Sequence, residues 1–119
     1  MVKALFDTNI LIDFLRGVPA ARDEIGLYEE KAISVVTWME VMTGAPMHAE
    51  VGTREFLDGF ALIRVDEAIA ERVVTLRRQH KLKLPDAVVR ASAQVQEMLL
   101  ITRDTNGFPP NDPGVRTPY

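Results

Sequence analysis

The chain has 119 residues, no cysteine, 47% hydrophobic and 26% charged residues, and a formal net charge of −3. That size and balance fit one globular domain with its own core and exclude a disordered tail, a disulfide scaffold and a zinc–thiolate centre. The acidic balance weighs against gripping nucleic acid by bulk positive charge, but leaves room for an acidic site that meets phosphates through bound cations.

The pattern predicts a short apolar strand over Val2–Phe6. From Thr8 the period changes: Ile10, Leu11, Phe14 and Leu15 recur at helical spacing, and Gly17 with Pro19 ends that helix. Asp7, Asn9 and Asp13 interrupt what would otherwise pass for the apolar core of a secretion signal. Ala20–Glu30 reads as a second helix, and "AISVV" (Ala32–Val36) as a second buried strand. Thr37 then opens a helix through Met42, closed by Gly44 and Pro46, and Met47–Leu57 reads as another with its stop at Asp58-Gly59. "FALIRV" (Phe60–Val65) is the third strand, and Asp66 caps a helix with Ile69, Val73 and Leu76 on one face. Pro85 stands in the first turn of the next helix, whose inward stripe is Val88, Ala91 and Val95. "LLIT" (Leu99–Thr102) is the fourth strand, and "VRTPY" at the end is at most a short edge strand.

Strands alternating with helices predict an α/β three-layer sandwich, with a mostly parallel sheet of four to five strands flanked by helices. Neither a repeat nor a linker divides residues 1–119, so a single domain is expected. No stretch approaches the roughly 18 apolar residues of a membrane span, and the absence of cysteine fits a reducing compartment. The expectation is a soluble cytoplasmic protein.

In such a sheet the loops after the strands emerge along one edge, where ligands bind. Asp7 follows the first strand, Glu40 lies about one helical turn after the second, and Asp104 stands just past the fourth. Asp86 is in the first turn of the helix that feeds the fourth strand, a position that does not by itself place it at that edge. Each acid has a structural explanation of its own. Asp7 suits a helix cap, Glu40 completes a capping box with Thr37 in "TWME", Asp86 complements a helix dipole, and Asp104 suits an Asx turn. Jointly they weigh differently. Two carboxylates about 4 Å apart repel by roughly 4 kcal/mol at an effective dielectric of about 20. A gathering of four therefore calls for a cation or a proton, and an oxygen-only set suits Mg²⁺ or Mn²⁺. His48 and His80 lack any zinc-ligand spacing.

Other chemistries are missing. The chain has no Walker-type or dinucleotide-binding glycine motif and no Ser/His or Cys/His arrangement for acyl transfer. An acidic, cation-loaded edge best fits phosphodiester hydrolysis. The basic run "RRQHKLK" (Arg77–Lys83) reads first as a helix end complementing its dipole and second as a phosphate-contacting patch. Arg103 is either a phosphate contact or a solvated surface residue, and Asp13, Asp66 and Trp38 read as capping, solvation or packing.

The stretches "LFDTNILIDFLRG", "VVTWMEVMTGAP", "KLPDAVVRASA" and "LLITRDTNGFPP" together resemble the PIN-domain ribonucleases, and among them the VapC-type toxins of bacterial toxin–antitoxin pairs. The resemblance runs in order over nearly the whole chain. It implies Mg²⁺- or Mn²⁺-dependent endonucleolytic cleavage of RNA, a homodimer, and neutralisation by a cognate antitoxin. It further implies that Asp7, Glu40, Asp86 and Asp104 form one acidic quartet, supported by Thr8 and Asn9, and that Asp86 does face the other acids. Two departures stand out: Gly107 occupies a position where the family often has another Asp, and the Gly44–Val51 stretch is short. The alternatives are a PIN-like domain that binds without turnover and, less fittingly, an Asp-based phosphotransfer domain. The phosphatase type of the latter wants D-x-D where this chain has Asp7 and Asn9.

Overall fold

Alternation along the strands decides which layer each side chain enters. The computed structural model describes residues 2–104 and 112–119. Its strands are β1 (Lys3–Phe6), β2 (Glu30–Ser34), β3 (Ala61–Ile63), β4 (Leu99–Ile101) and β5 (Val115–Arg116). They form one sheet in the order β3-β2-β1-β4-β5, and every described pairing is parallel. Ala4, Phe6, Ile33 and Ile101 point to one face, and Leu5, Ala32 and Leu100 to the other.

Helices cover both faces. On the first, α1 (Thr8–Leu15), α2 (Pro19–Ile25), α3 (Val35–Gly44) and α4 (Glu50–Asp58) contribute Ile10, Leu11, Ala21, Ile25, Val41 and Leu57 to the core. On the second, α6 (Leu84–Val95) lays Val89 and Ala93 on Leu5, Ala32 and Leu100. Its opposite side packs Ala87, Val88 and Ala91 against Ile69, Val73 and Leu76 of α5 (Glu67–Gln79). This is the expected three-layer sandwich, with five strands and parallel pairing throughout.

Strand order places the functional edge. The chain leaves β1 for helices on one face and reaches β4 from a helix on the other, so β1 and β4 flank a topological switch point. The last residues of the two strands are paired, Phe6 with Ile101, and the Asp7 N–H donates to the Ile101 carbonyl at 2.9 Å. Phe6 is fully buried, with its ring edge-on to both Tyr28 and Phe60 at 5.8 Å. Such aromatic packing fixes the residue immediately before Asp7.

Several local expectations shift. Pro19 opens α2 at its first turn, and the reversal before it is made at Gly17, whose φ of +82° favours glycine. The second strand ends at Ser34, whose hydroxyl caps α3 by accepting the Val36 N–H at 3.2 Å. Thr37 therefore opens no helix, and Glu40 is an interior helical residue without a capping box. The span from Met47 divides into a 3-10 turn (Met47–Ala49) and α4. Asp66 caps α5 as expected, accepting the Ile69 N–H at 2.9 Å.

The segment from residue 112 onward is tied to three helices by two ion pairs and a hydrogen bond. Asp112 pairs with Arg90 of α6, and Tyr119 donates its hydroxyl to Asp13 of α1 at 2.8 Å. Arg116 of β5 meets Glu24 of α2 through two bonds of 2.7 and 3.0 Å. Glu24 is 4% exposed and also accepts the Tyr28 hydroxyl at 2.9 Å. A buried carboxylate that loses its cation keeps its desolvation cost. Arg116→Leu is therefore expected to lower stability in a urea melt by about 1–3 kcal/mol, and adding Glu24→Leu in the same chain is expected to restore part of that loss.

Candidate active site

Asp7 is the first residue beyond β1 and caps α1, so one carboxylate faces two duties. Its Oδ1 accepts the Thr8 N–H at 2.8 Å and its Oδ2 accepts the Thr102 hydroxyl at 2.9 Å. Thr102 follows β4 directly and is fully buried. Its single hydroxyl proton goes to Asp7. Its oxygen then accepts from Asn9 Nδ2 at 3.2 Å and from the Asp104 N–H at 3.0 Å. Asn9 in turn accepts the Arg103 N–H at 3.1 Å through Oδ1. The ends of β1 and β4 are thus stitched together by Asp7, Asn9 and Thr102.

Glu40 reaches the same edge from α3. Its Oε1 lies 2.6 Å from the Thr8 hydroxyl, which lies 3.1 Å from the hydroxyl of the buried Thr37. With one proton on Thr8, the consistent order is Thr37 donating to Thr8 and Thr8 donating to Glu40. Asp86 stands in the first turn of α6, half-buried. Asp104 lies just past Thr102, and Gly107 lies outside the described residues.

Electrostatics links the four acids. Burial pushes the Asp7 carboxyl above its ordinary value; its hydrogen bonds from Thr102 and Thr8 oppose that rise, and the charges of Asp86 and Glu40 add to it. Burial also raises Asp86, followed by the charges of Asp104 and Glu40, with Lys83 opposing. The fold therefore places Asp7 within reach of the charges of Asp86 and Glu40, and Asp86 within reach of those of Asp104 and Glu40. Among the described residues, no three His, Cys, Asp or Glu side chains converge closely enough to hold an ion as they stand. Mutual repulsion opposes such convergence. A hard cation fits this donor set by its chemistry: the carboxylates are oxygen ligands, and a positive charge among them would offset the repulsion that Asp7 and Asp86 feel from neighbouring acids.

Lys83 is the part of the basic run that touches this electrostatics, while Arg77 and Arg78 occupy the last turn of α5. Arg103 is neither loose nor fully solvated. Its guanidinium grips Asp13 through Nε at 2.8 Å and Nη2 at 3.2 Å. Asp13 is 7% exposed and also takes the Tyr119 hydroxyl, so it is an ion-pair centre rather than a solvated helix residue. Burial works against ionisation of Asp13, but Arg103 and Tyr119 outweigh it and hold its carboxyl below the usual range. The same environment pushes the Tyr119 phenol up to about 12, chiefly through burial and its bond to Asp13. Trp38 packs against the core with Arg54 over its ring at 5.4 Å.

Sequence reasoning missed Thr102 and the Asp13–Arg103 pair, and gave Thr37 the role of a helix cap where it instead backs the Thr8 hydroxyl. A signal existed for the first: a hydroxyl residue ending a buried strand, two positions before an acid, on the strand beside β1.

Residues 4–109 match the PIN domain family. The chain belongs to the PIN domain family. A relative named Ribonuclease VapC10, from Mycobacterium tuberculosis, is 32% identical over 113 residues, covering 88% of this chain and 85% of that protein. A solved toxin–antitoxin complex from Klebsiella pneumoniae contains a chain 50% identical to this one, with a TM-score of 0.93 and 98% of each chain covered. DNA-bound VapBC from Salmonella typhimurium, at 22% identity and a TM-score of 0.82 over 98% of this chain, shares the fold. As in other PIN domains, helices on both sides sandwich a parallel sheet. No described helix is long and apolar enough to cross a membrane.

The raised carboxyls of this PIN domain set the sign of a pH effect. A carboxyl whose folded pKa lies above its unfolded value near 3.8 keeps its proton longer in the folded state, so stability falls as pH rises between the two. The stability tied to Asp7 and Asp86 is full below that unfolded value and lost above their raised folded values. In metal-free buffer, Asp7→Asn is expected to remove one such loss. Its melting temperature relative to the parent protein is expected to be higher at pH 7 than at pH 4, by differential scanning calorimetry.

Proposed function

We propose that this protein is a metal-dependent endoribonuclease and the toxin of a type II toxin–antitoxin pair, hydrolysing RNA phosphodiester bonds. The observation that carries the reading is the electrostatic joining of Asp7, Glu40, Asp86 and Asp104 at the switch point between β1 and β4. Membership of the PIN domain family supports it. So do the likeness to Ribonuclease VapC10 and the 50% identity to a chain of a toxin–antitoxin complex.

In this reading Asp7, Asp86 and Asp104 would hold Mg²⁺ or Mn²⁺ directly, and Glu40 would complete the shell or orient the attacking water. A bound divalent ion supplies an acidified water and neutralises charge on the scissile phosphate. The protein's own contribution is placement. Thr8, backed by Thr37, fixes the Glu40 carboxylate, and Thr102 with Asn9 fixes Asp7. Thr102, donating its one proton to Asp7, also favours the ionised carboxylate that a cation needs. Lys83, with Arg77, Arg78 and Lys81, offers phosphate contacts that an acidic chain otherwise lacks.

The proposed partners are the RNA substrate, a cognate antitoxin and a second copy of the chain in a homodimer, all in the cytoplasm. An apolar groove lined by Ile12, Leu15, Val41, Ala45 and Pro46, next to the exposed Met47, supports a protein partner. A PIN domain that only binds is the second reading.

Asp7→Asn separates the two readings, because Asn caps α1 about as well as Asp but is a poor ligand for a hard cation. Cleavage of RNA with Mg²⁺ or Mn²⁺ is expected to fall by at least roughly a hundredfold, with the fold intact by circular dichroism. Thr102→Val, which removes the proton held by Asp7, is expected to cost about 10–100-fold in the same assay. Parent-level cleavage in Asp7→Asn would refute the catalytic role of that residue, and no cleavage by the intact protein in either metal would favour the binding-only domain.

A further inference from the structure

Asn9 and Asp13 lie one helical turn apart on α1, so their side chains leave the same face. Both end on a single residue. Asn9 accepts the Arg103 backbone N–H at 3.1 Å, and Asp13 takes the Arg103 guanidinium at 2.8 and 3.2 Å. Arg103 stands between Thr102, whose hydroxyl bonds Asp7, and Asp104. We propose that Asp13 is a positioning residue of the site: acting through Arg103, it fixes the Arg103–Asp104 segment against α1 and sets where Asp104 stands relative to Asp86. This rests on the reading of those acids as the catalytic set.

The segment needs such a hold. Thr102 is still tied to β5, its N–H donating to the Arg116 carbonyl at 3.0 Å, but Arg103 and Asp104 lie past that last backbone bond, in neither strand nor helix. The charge of Asp104 acts on Asp86, and like charges push the segment that carries one of them outward. A planar guanidinium bound at two points fixes orientation as well as distance. The carboxylate on the other side is itself well held, because Asp13 is 7% exposed and sits within the rigid frame of α1. Tyr119 closes the arrangement by donating to the same oxygen, Oδ2, that receives Arg103 Nε. The Arg103 side chain is 47% exposed but that of Asp13 only 10%, so the pair is sheltered on its acid side, unlike a fully exposed surface ion pair, whose loss changes little.

Two variants separate positioning from mere stabilisation. Asp13→Asn removes the charge and weakens the fork. Tyr119→Phe removes one of the three bonds and leaves the ion pair. Each is compared with the intact protein by amide hydrogen exchange at Arg103 and Asp104, by Mn²⁺ titration in a calorimeter, by RNA cleavage and by thermal unfolding. In Asp13→Asn both amides are expected to exchange at least roughly tenfold faster, and the Mn²⁺ dissociation constant is expected to rise about tenfold. Cleavage at low Mn²⁺ is expected to fall in step and to recover partly at high Mn²⁺. Tyr119→Phe is expected to move the same readings by roughly three- to tenfold, the worth of one net hydrogen bond.

A folded Asp13→Asn protein with unchanged exchange at both amides and unchanged Mn²⁺ affinity overturns the proposal, even if its melting temperature falls. If Asp13→Asn does not fold, Tyr119→Phe decides on the same two readings. If the intact protein neither cleaves RNA nor binds Mn²⁺ while the two amides still exchange faster in the variants, the clamp stands and the ribonuclease reading falls.

Discussion

The Thr102 hydroxyl, with one proton to give, holds the two central strands of this protein in functional register. It gives that proton to Asp7 and accepts from Asn9 and from the Asp104 amide. Three residues that matter to the edge thus share one buried oxygen. Their geometry depends on where β1 and β4 end, which in turn depends on the pairing of Phe6 with Ile101 and on the aromatic packing around Phe6. Core and site are therefore one construction at this point.

The acids at the edge work against the fold. Asp7 and Asp86 are raised by burial and by neighbouring charge, so their ionised forms are disfavoured where the site would need them. The compensation is visible nearby: donors aimed at Asp7, a hydroxyl aimed at Glu40, a lysine near Asp86, and an arginine fork on the segment carrying Asp104. Natural proteins commonly trade stability for function at such places. The counterweights lie on α1, at the start of α6 and just past β4, places distant in sequence from one another.

Much of this was legible in the residues and some was not. Alternation and helical spacing located the strands and helices, and Asp66 was readable as a cap, because those signals are local. Asp7 was readable as both cap and site residue, and it is a cap whose second oxygen faces the edge. The failures share a cause. Ser34 and Thr37 are both acceptable caps a few residues apart, and only the end of β2, set by pairing with β1 and β3, decides that Ser34 takes the role. Arg103 reads as a surface residue because its partner Asp13 is 90 positions earlier. Thr102 reads as the last residue of a strand because the carboxylate it serves is 95 positions away. Contacts of that range leave no local pattern in a single sequence.

The parallel strand order also carries a consequence in time. β1 sits at the centre of the sheet between β2 and β4, and β4 is synthesised late. At about 5–20 residues per second, roughly 5–20 s separate the making of Asp7 from the making of Asp104. During that interval the first half of the acidic edge has neither Thr102 to orient it nor Asp104 to complete it. An activity that needs both halves of this edge has to wait for long-range parallel pairs, which close slowly.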